Sequence, residues 1–257
     1  MLLLVMDVGN TNIKIGVFSG DELITSWRIQ SVIGKTADEY GLIITSLFEK
    51  DKLALSDVEG IIMSSVIPSL NYTLEHMCEY YFKMKPIVIG PGVKTSLNIK
   101  YDNPKDVGSD RIVNSVAAYR FYGGPCIVID FGTTTTFNVV SENCEFLGGV
   151  ICPGIKVSVD AMVSSAAKLS KIELNKPKNI IGRSTSANMQ SGIVYGFTGM
   201  VKYIIQKIKE ELGSDDVKVI ATGGLSELIF SENRVFDIID RKLTLEGLRI
   251  IYNYNKA

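Results

Sequence analysis

The stretch LLLVMDVGNTNIKIGV, residues 2–17, decides the fold. An apolar run ends on a carboxylate, Asp7, passes through Gly9, Asn10 and Thr11, and gives way to apolar alternation at Ile13, Ile15 and Val17. That pattern reads as strand, tight polar turn, strand. Gly9 lets backbone come close to a ligand, and Asn10, Thr11 and Asn12 bring small polar groups to the tip. Lys14 stands beyond them as a point charge suited to phosphate. An ordinary hairpin fits the same residues, because strand–Asn/Gly–strand is a common short-range β signal. Later parts of the chain separate the two readings.

The pattern returns in residues 126–138, CIVIDFGTTTTFN. Val5, Asp7, Gly9 and Thr11 coincide with Val128, Asp130, Gly132 and Thr134, and Asp130 follows Asp7 by 123 residues, close to half the chain. A repeat at that spacing implies two similar domains and not a solenoid. We place them at residues 1–122 and 123–257, a length that leaves each a sizeable core. Two such turns make a pair of phosphate clamps, with Asp7 and Asp130 able to position a cation; magnesium is commonly held by one or two carboxylates together with phosphates. Gly223-Gly224, after a strand, offers backbone against which an adenine ring can lie.

Composition narrows the class. With 46% hydrophobic and 21% charged residues the chain is globular, and a net charge of −1 argues against a dedicated nucleic-acid or anionic-membrane surface. The N-terminal apolar run stops at Asp7 with no basic segment before it, so it does not read as a secretion signal. Residues 193–205 are interrupted by Gly196, Gly199 and Lys202 and are too short to span a bilayer. One histidine, His76, and four cysteines without CxxC spacing exclude the usual zinc constellations and a histidine-based triad. A reduced, cytoplasmic protein is expected.

Between the two hairpins, helical spacing predicts helices over residues 37–50 and 69–82, with a buried strand over 58–66 and a further one over 86–89. Residues 90–111 carry three glycines and two prolines without sustained periodicity and read as loop, long enough to suggest function. Ser109 and Asp110 open the next helix, so Asp110 is suited to an N-cap or first-turn position even without a chemical role. In the second half a helix is expected from 153–154 to about 168. The longest helix runs over 185–212, capped by Thr185 or Ser186. Gly192, Gly196 and Gly199 lie inside it, which predicts a close approach by another helix or a ligand. A strand over 217–221 and helices from 225 and 243 finish the chain.

The DxGNT hairpin, the DxGT hairpin and the late TGG turn together resemble the acetate and sugar kinase, heat-shock chaperone and actin superfamily. Within it the sequence is similar to type III pantothenate kinases. The matching segments are DVGNTNIK (residues 7–14), YDNPKDVGSDR (101–111), IDFGTTTTF (129–137), PGI (153–155), GRSTSANMQSG (182–192) and ATGG (221–224). The GSDR element and the MQSG helix start are more specific than the hairpins.

The resemblance implies an α/β fold of two ribonuclease-H-like domains, each a mixed five-stranded sheet flanked by helices, with an interdomain cleft. It implies ATP-dependent phosphorylation of pantothenate, the entry to coenzyme A synthesis. ATP would be bound by Asp7, Val8, Gly9, Asn10, Thr11, Asn12, Ile13 and Lys14, and by Thr133, with Asp7 also near magnesium. Asp130 would bind a monovalent cation, potassium or ammonium. Tyr101, Gly108, Ser109, Asp110 and Arg111 would hold pantothenate, joined by Thr185 from the partner of a homodimer. Asp110 would be the catalytic base. Arg111, Arg183 and Lys105 are the candidates for pairing with the substrate carboxylate. A non-catalytic, nucleotide-dependent regulator or accessory protein of the same fold is the alternative.

Overall fold

The computed structural model describes residues 1–230 and 235–256. The first hairpin is formed by β1 (Leu2–Val8) and β2 (Asn12–Ser19), followed by β3 (Glu22–Gln30), α1 (Ala37–Lys50), β4 (Val58–Ser65) and α2 (Pro68–Met77). Next come the short strands β5 (Ile87–Val88) and β6 (Asn98–Ile99), then α3 (Ser109–Tyr122). The second half begins with β7 (Cys126–Phe131), β8 (Thr134–Val140), β9 (Glu145–Pro153), α4 (Ile155–Ser165) and α5 (Thr185–Leu212). It closes with β10 (Lys218–Gly223), α6 (Ser226–Phe230), β11 (Ile238–Ile239) and α7 (Leu243–Asn255).

Among the described residues the first sheet has the order β3-β2-β1-β4-β5 and the second β11-β10-β7-β8-β9-β6. Read from its other edge, the second sheet repeats the first strand for strand, with β7, β8, β9, β10 and β11 in the places of β1 to β5. In both, the opening hairpin is antiparallel, and β4 in the first sheet and β10 in the second run parallel to its first arm. The duplication expected from Asp7 and Asp130 is therefore a duplication of whole sheets.

The second sheet has six strands where five were expected. Asn98–Ile99 falls in the segment read as loop, and it pairs parallel with Glu145 and Phe146. Lys100 Nζ, 3.2 Å from Glu145 Oε1, reinforces that edge.

The chain divides into two compact units that differ from the expected halves. Unit 1 takes Met1–Leu97, Asp102–Ala117 and the described part of Lys242–Ala257; unit 2 takes Asn98–Tyr101 and the described part of Ala118–Arg241. Hydrophobic burial explains the return of the C-terminus. In α7, Leu243, Leu245, Leu248 and Ile251 are buried, and the helix packs on β1, β2 and β4. Gly60 and Gly247 permit this: a Cβ at Gly60 would lie 2.0 Å from the Tyr252 hydroxyl, and one at Gly247 would lie 2.2 Å from the Val113 carbonyl.

The other face of the first sheet, with Leu4, Met6 and Val8, is covered by Tyr40, Ile44 and Phe48 of α1 and by Leu70, Leu74 and Met77 of α2. A full capping box begins α1: the Thr36 hydroxyl accepts from the Glu39 N–H, and the Glu39 carboxylate accepts from the Thr36 N–H. In unit 2, Ile127, Ile129, Phe137 and Val139 pack under α4 and α5. Two expected helices are shorter than read. The one ending near 168 stops at Ser165, and regular α geometry in the 69–82 segment stops at Met77, with residues 78–82 continuing as a wider π turn.

The four cysteines are free. Burial pushes the Cys78 and Cys126 thiols up to about 12, so neither serves as a nucleophile near neutrality. In native protein at pH 8, a thiol-reactive dye is expected to spare both and to label them after denaturation; native labelling of either contradicts their burial. Protonated in the folded state, these thiols favour folding fully below their ordinary value of 9.0, and the contribution falls away as pH rises toward 12.

Candidate active site

Unit 1 builds its part of the site at the end of β1. Val8 and Ile13 turn buried side chains into the core, so only their backbone can meet a ligand, while Asn10 and Thr11 are exposed at the tip. The turn is closed by the Gly9 N–H donating to the Asn12 carbonyl at 3.1 Å. Ser31, at the end of β3, holds it from outside: its hydroxyl donates to the Gly9 carbonyl at 2.6 Å and its N–H to the Thr11 carbonyl at 3.1 Å. Nothing in the sequence pattern singled out Ser31.

Asp7 is in register with Lys14 on β2 and with Ser64 on β4. Lys14 Nζ lies 3.5 Å from Asp7 Oδ2. Asp7 is 7% exposed and Ser64 fully buried. A mostly buried carboxylate with an ammonium beside it and exposed small polar residues one turn away can hold a phosphate chain and its metal. Among the described residues no group of three His, Cys, Asp or Glu could form an all-protein metal cage.

Ser64 is the second residue that the sequence did not reveal. Its hydroxyl is 2.9 Å from that of Ser109, which also donates to the Ser65 carbonyl at 3.0 Å and accepts from the Ser65 N–H at 3.1 Å. One donor and two acceptor positions are all that a hydroxyl has, so the Ser109 side chain is spent on anchoring α3 to the end of β4. That anchor places Asp110 in the first turn of a helix pinned beside the Asp7 strand. Asp110 Oδ1 accepts from the Arg111 N–H at 2.8 Å. A Cβ at Gly108 would meet the same oxygen at 2.6 Å, so a side chain there would push the Asp110 carboxylate aside. Arg111 is buried, at 6% exposure, whereas Lys105 and Arg183 are exposed.

Unit 2 carries the second turn. Its Gly132 N–H donates to the Thr134 carbonyl at 3.1 Å, as Gly9 does to Asn12 in a loop one residue longer. Thr133 is exposed at the tip. Gly154, before α4, packs on the turn so tightly that a Cβ would sit 2.2 Å from the Thr133 carbonyl. Gly223 ends β10 at φ +94°, and a Cβ there would meet Asp130 Oδ1 at 2.7 Å and the Phe131 carbonyl at 2.6 Å. Tyr101 also belongs to unit 2, its ring tilted on Phe146 and against Gly148. Thr185 is exposed at the first residue of α5. The expected cap is corrected: Ser184 caps α5, its extended backbone letting the hydroxyl accept from the Ala187 N–H at 3.2 Å. The Thr185 side chain is thereby released from capping.

A family model of type III pantothenate kinases matches residues 3–207 of this sequence. The chain belongs to the type III pantothenate kinase family. Solved structures agree on the fold. A Campylobacter jejuni protein named for the Baf family of transcriptional activators is 20% identical, with a TM-score of 0.61 over 98% of each chain. The ethanolamine utilization protein EutJ from Carboxydothermus hydrogenoformans is 13% identical, with a TM-score of 0.59 over 98% of this chain and 90% of that one. A ROK hexokinase from Thermus thermophilus is 11% identical, with a TM-score of 0.53 over the full length of both. A type III pantothenate kinase family member is a kinase of the actin and sugar-kinase fold. Among the described residues, no helix is long and apolar enough to cross a membrane.

Proposed function

We propose that the protein transfers the γ-phosphoryl group of ATP to the primary hydroxyl of pantothenate, giving 4′-phosphopantothenate and ADP, the first step of coenzyme A synthesis in the cytoplasm. The observation that carries this reading is the Gly108-Ser109-Asp110-Arg111 element, locked through Ser109 to Ser64 and Ser65 beside the strand that bears Asp7.

Asp7 and the 8–14 turn hold the phosphates, with Thr133 contributing from the second hairpin. Asp7 would hold magnesium, which when bound would offset charge on the transferring phosphates. Asp130 takes the monovalent cation, potassium or ammonium. Pantothenate lies against Tyr101, residues 108–111 and the Thr185 of a partner copy. Because the Ser109 hydroxyl is saturated, Ser109 meets substrate through its backbone. Asp110 accepts the hydroxyl proton as the oxygen bonds to the γ-phosphorus and the bond to ADP breaks; the proton then passes to solvent. Such transfer is mostly positioning and charge stabilisation, so a weak carboxylate base suffices.

The test is a coupled ADP-release assay. ADP release that requires pantothenate and rises with potassium is expected; its absence in well-folded protein favours the non-catalytic regulator.

Homodimerisation through α5 belongs to the same proposal. The close approach predicted at Gly192, Gly196 and Gly199 is not made among the described residues, where a Cβ at each would meet nothing within 4 Å. Gly192 and Gly196 line an open groove of roughly 480 Å³ with Ile180, Ile181 and Tyr195, and Ile181 is 81% exposed. Light scattering at micromolar concentration is expected to give twice the chain mass. A fully active monomer contradicts this.

A further inference from the structure

We propose that Arg28 is a phosphate-binding residue of the nucleotide site, its guanidinium meeting the polyphosphate chain beside the Lys14 ammonium. The inference rests on the assignment of the ATP phosphates to the 7–14 turn made above. Arg28 lies on β3, outside every motif that marks the site in the sequence, and the sheet brings it there. Lys14 is in register with Asp7 on one side and with Arg28 on the other. Partners in register project from the same face of a sheet, so Asp7, Lys14 and Arg28 form one row. Adjacent strands are about 5 Å apart, a step that a long side chain and a phosphate chain bridge together.

Local contacts fix the way Arg28 faces. Trp27 packs on Phe48 of α1 and its Nε1–H donates to Asp51 Oδ2 at 3.0 Å, while Ile29 joins the same core. Successive strand residues alternate faces, so the neighbours on both sides turn Arg28 toward the Asp7 face. Just beyond, Ser31 ties the end of β3 to the hairpin tip.

Electrostatics supply the independent observation. Like charges directly opposite on neighbouring strands destabilise a sheet, yet Lys14 and Arg28 are such a pair. Lys14 has Asp7, 3.5 Å from its Nζ. Arg28 is exposed, and its side chain makes no ion pair or hydrogen bond among the described residues. Acids of neighbouring segments are engaged elsewhere: Asp51 accepts from Thr25 and Trp27, and Asp21 and Glu246 pair with Arg249. Asp7 and Lys14 cancel each other's charge, so a phosphate chain laid on that pair meets no net positive charge. Arg28 supplies it, with a fork of donors that matches phosphate oxygens. An ordinary solvated arginine is the alternative, and it predicts no effect on ligand binding.

The test is isothermal titration of the full-length protein with ATP at fixed magnesium, run beside steady-state kinetics of pantothenate phosphorylation. Arg28→Gln is expected to weaken ATP binding by about tenfold or more, as for one lost charge-assisted contact. KM for ATP should rise with it, and KM for pantothenate should stay near wild type. Arg28→Lys should recover part of the affinity, since it keeps the charge without the fork. Without ligand, Arg28→Gln should melt no lower than wild type, because it removes the like charge opposite Lys14.

ATP affinity unchanged in Arg28→Gln overturns the proposal. A raised KM for pantothenate with ATP affinity intact overturns it as well, and gives Arg28 to the substrate carboxylate. A ligand-free variant that melts clearly lower than wild type contradicts the like-charge argument and makes Arg28 a structural residue. Wild-type protein that binds no ATP overturns the nucleotide reading of the 7–14 turn itself, a different failure from these.

Discussion

Asp110→Asn is expected to lower kcat for pantothenate phosphorylation by about two to four orders of magnitude, the usual contribution of a positioned general base. KM for pantothenate should move little, since asparagine keeps the size and the carbonyl oxygen. The same feature protects the fold. Asp110 Oδ1 accepts from the Arg111 N–H, and the asparagine oxygen can do so equally, so the melting temperature should stay near that of wild type. Steady-state kinetics on the purified variant decides the matter, and a kcat within tenfold of wild type removes Asp110 from the role of base. Ser109→Ala makes a useful contrast. It breaks the link to Ser64 and Ser65 without touching a carboxylate, and is expected to loosen the start of α3 and to reduce both stability and turnover.

The second large effect is expected at Gly223. Alanine there would keep a left-handed φ of +94° that side chains rarely adopt, and its Cβ would press on the Phe131 backbone and Asp130 Oδ1. Backbone strain of this kind costs about 1–3 kcal/mol. For a chain of this size a cost near the upper end lowers the melting temperature by about 5–10 °C. Because relief of the clash displaces Asp130, the loss of nucleotide affinity should exceed what stability alone explains. Gly34→Ala is the control, since its Cβ meets nothing within 4 Å. Equal melting temperatures for the two variants would show that β10 yields easily and that Gly223 is not held in place as described.

Much of this molecule could be read from its residues, for identifiable reasons. The hairpins were visible because strand alternation and turn chemistry are local, and helices 37–50 and 185–212 because their apolar faces repeat over many turns. The doubling was visible because Asp7 and Asp130 sit in like surroundings. Less visible were partnerships across long sequence separations. Ser64 and Ser31 are ordinary small residues until the sheet sets one against Ser109 and the other against Gly9. Strand β6 is two residues long and takes its identity from Glu145 and Phe146. The cap of α5 moved by one residue because serine and threonine at 184–186 are chemically near-equal and only backbone geometry separates them.

The return of the C-terminal helix has a consequence for how the protein is made. Until residues 243–255 leave the ribosome, the sheet face that holds Val5, Phe18 and Ile62 lacks its α7 cover, while α1 and α2 can already dress the opposite face. At ordinary rates of synthesis that interval is on the order of ten seconds. The nascent N-terminal part therefore waits with apolar surface open, a natural target for ribosome-associated chaperones. A fragment cut near residue 122 would carry that wait indefinitely, so expressing the first half alone should give aggregated material even though its sheet is complete.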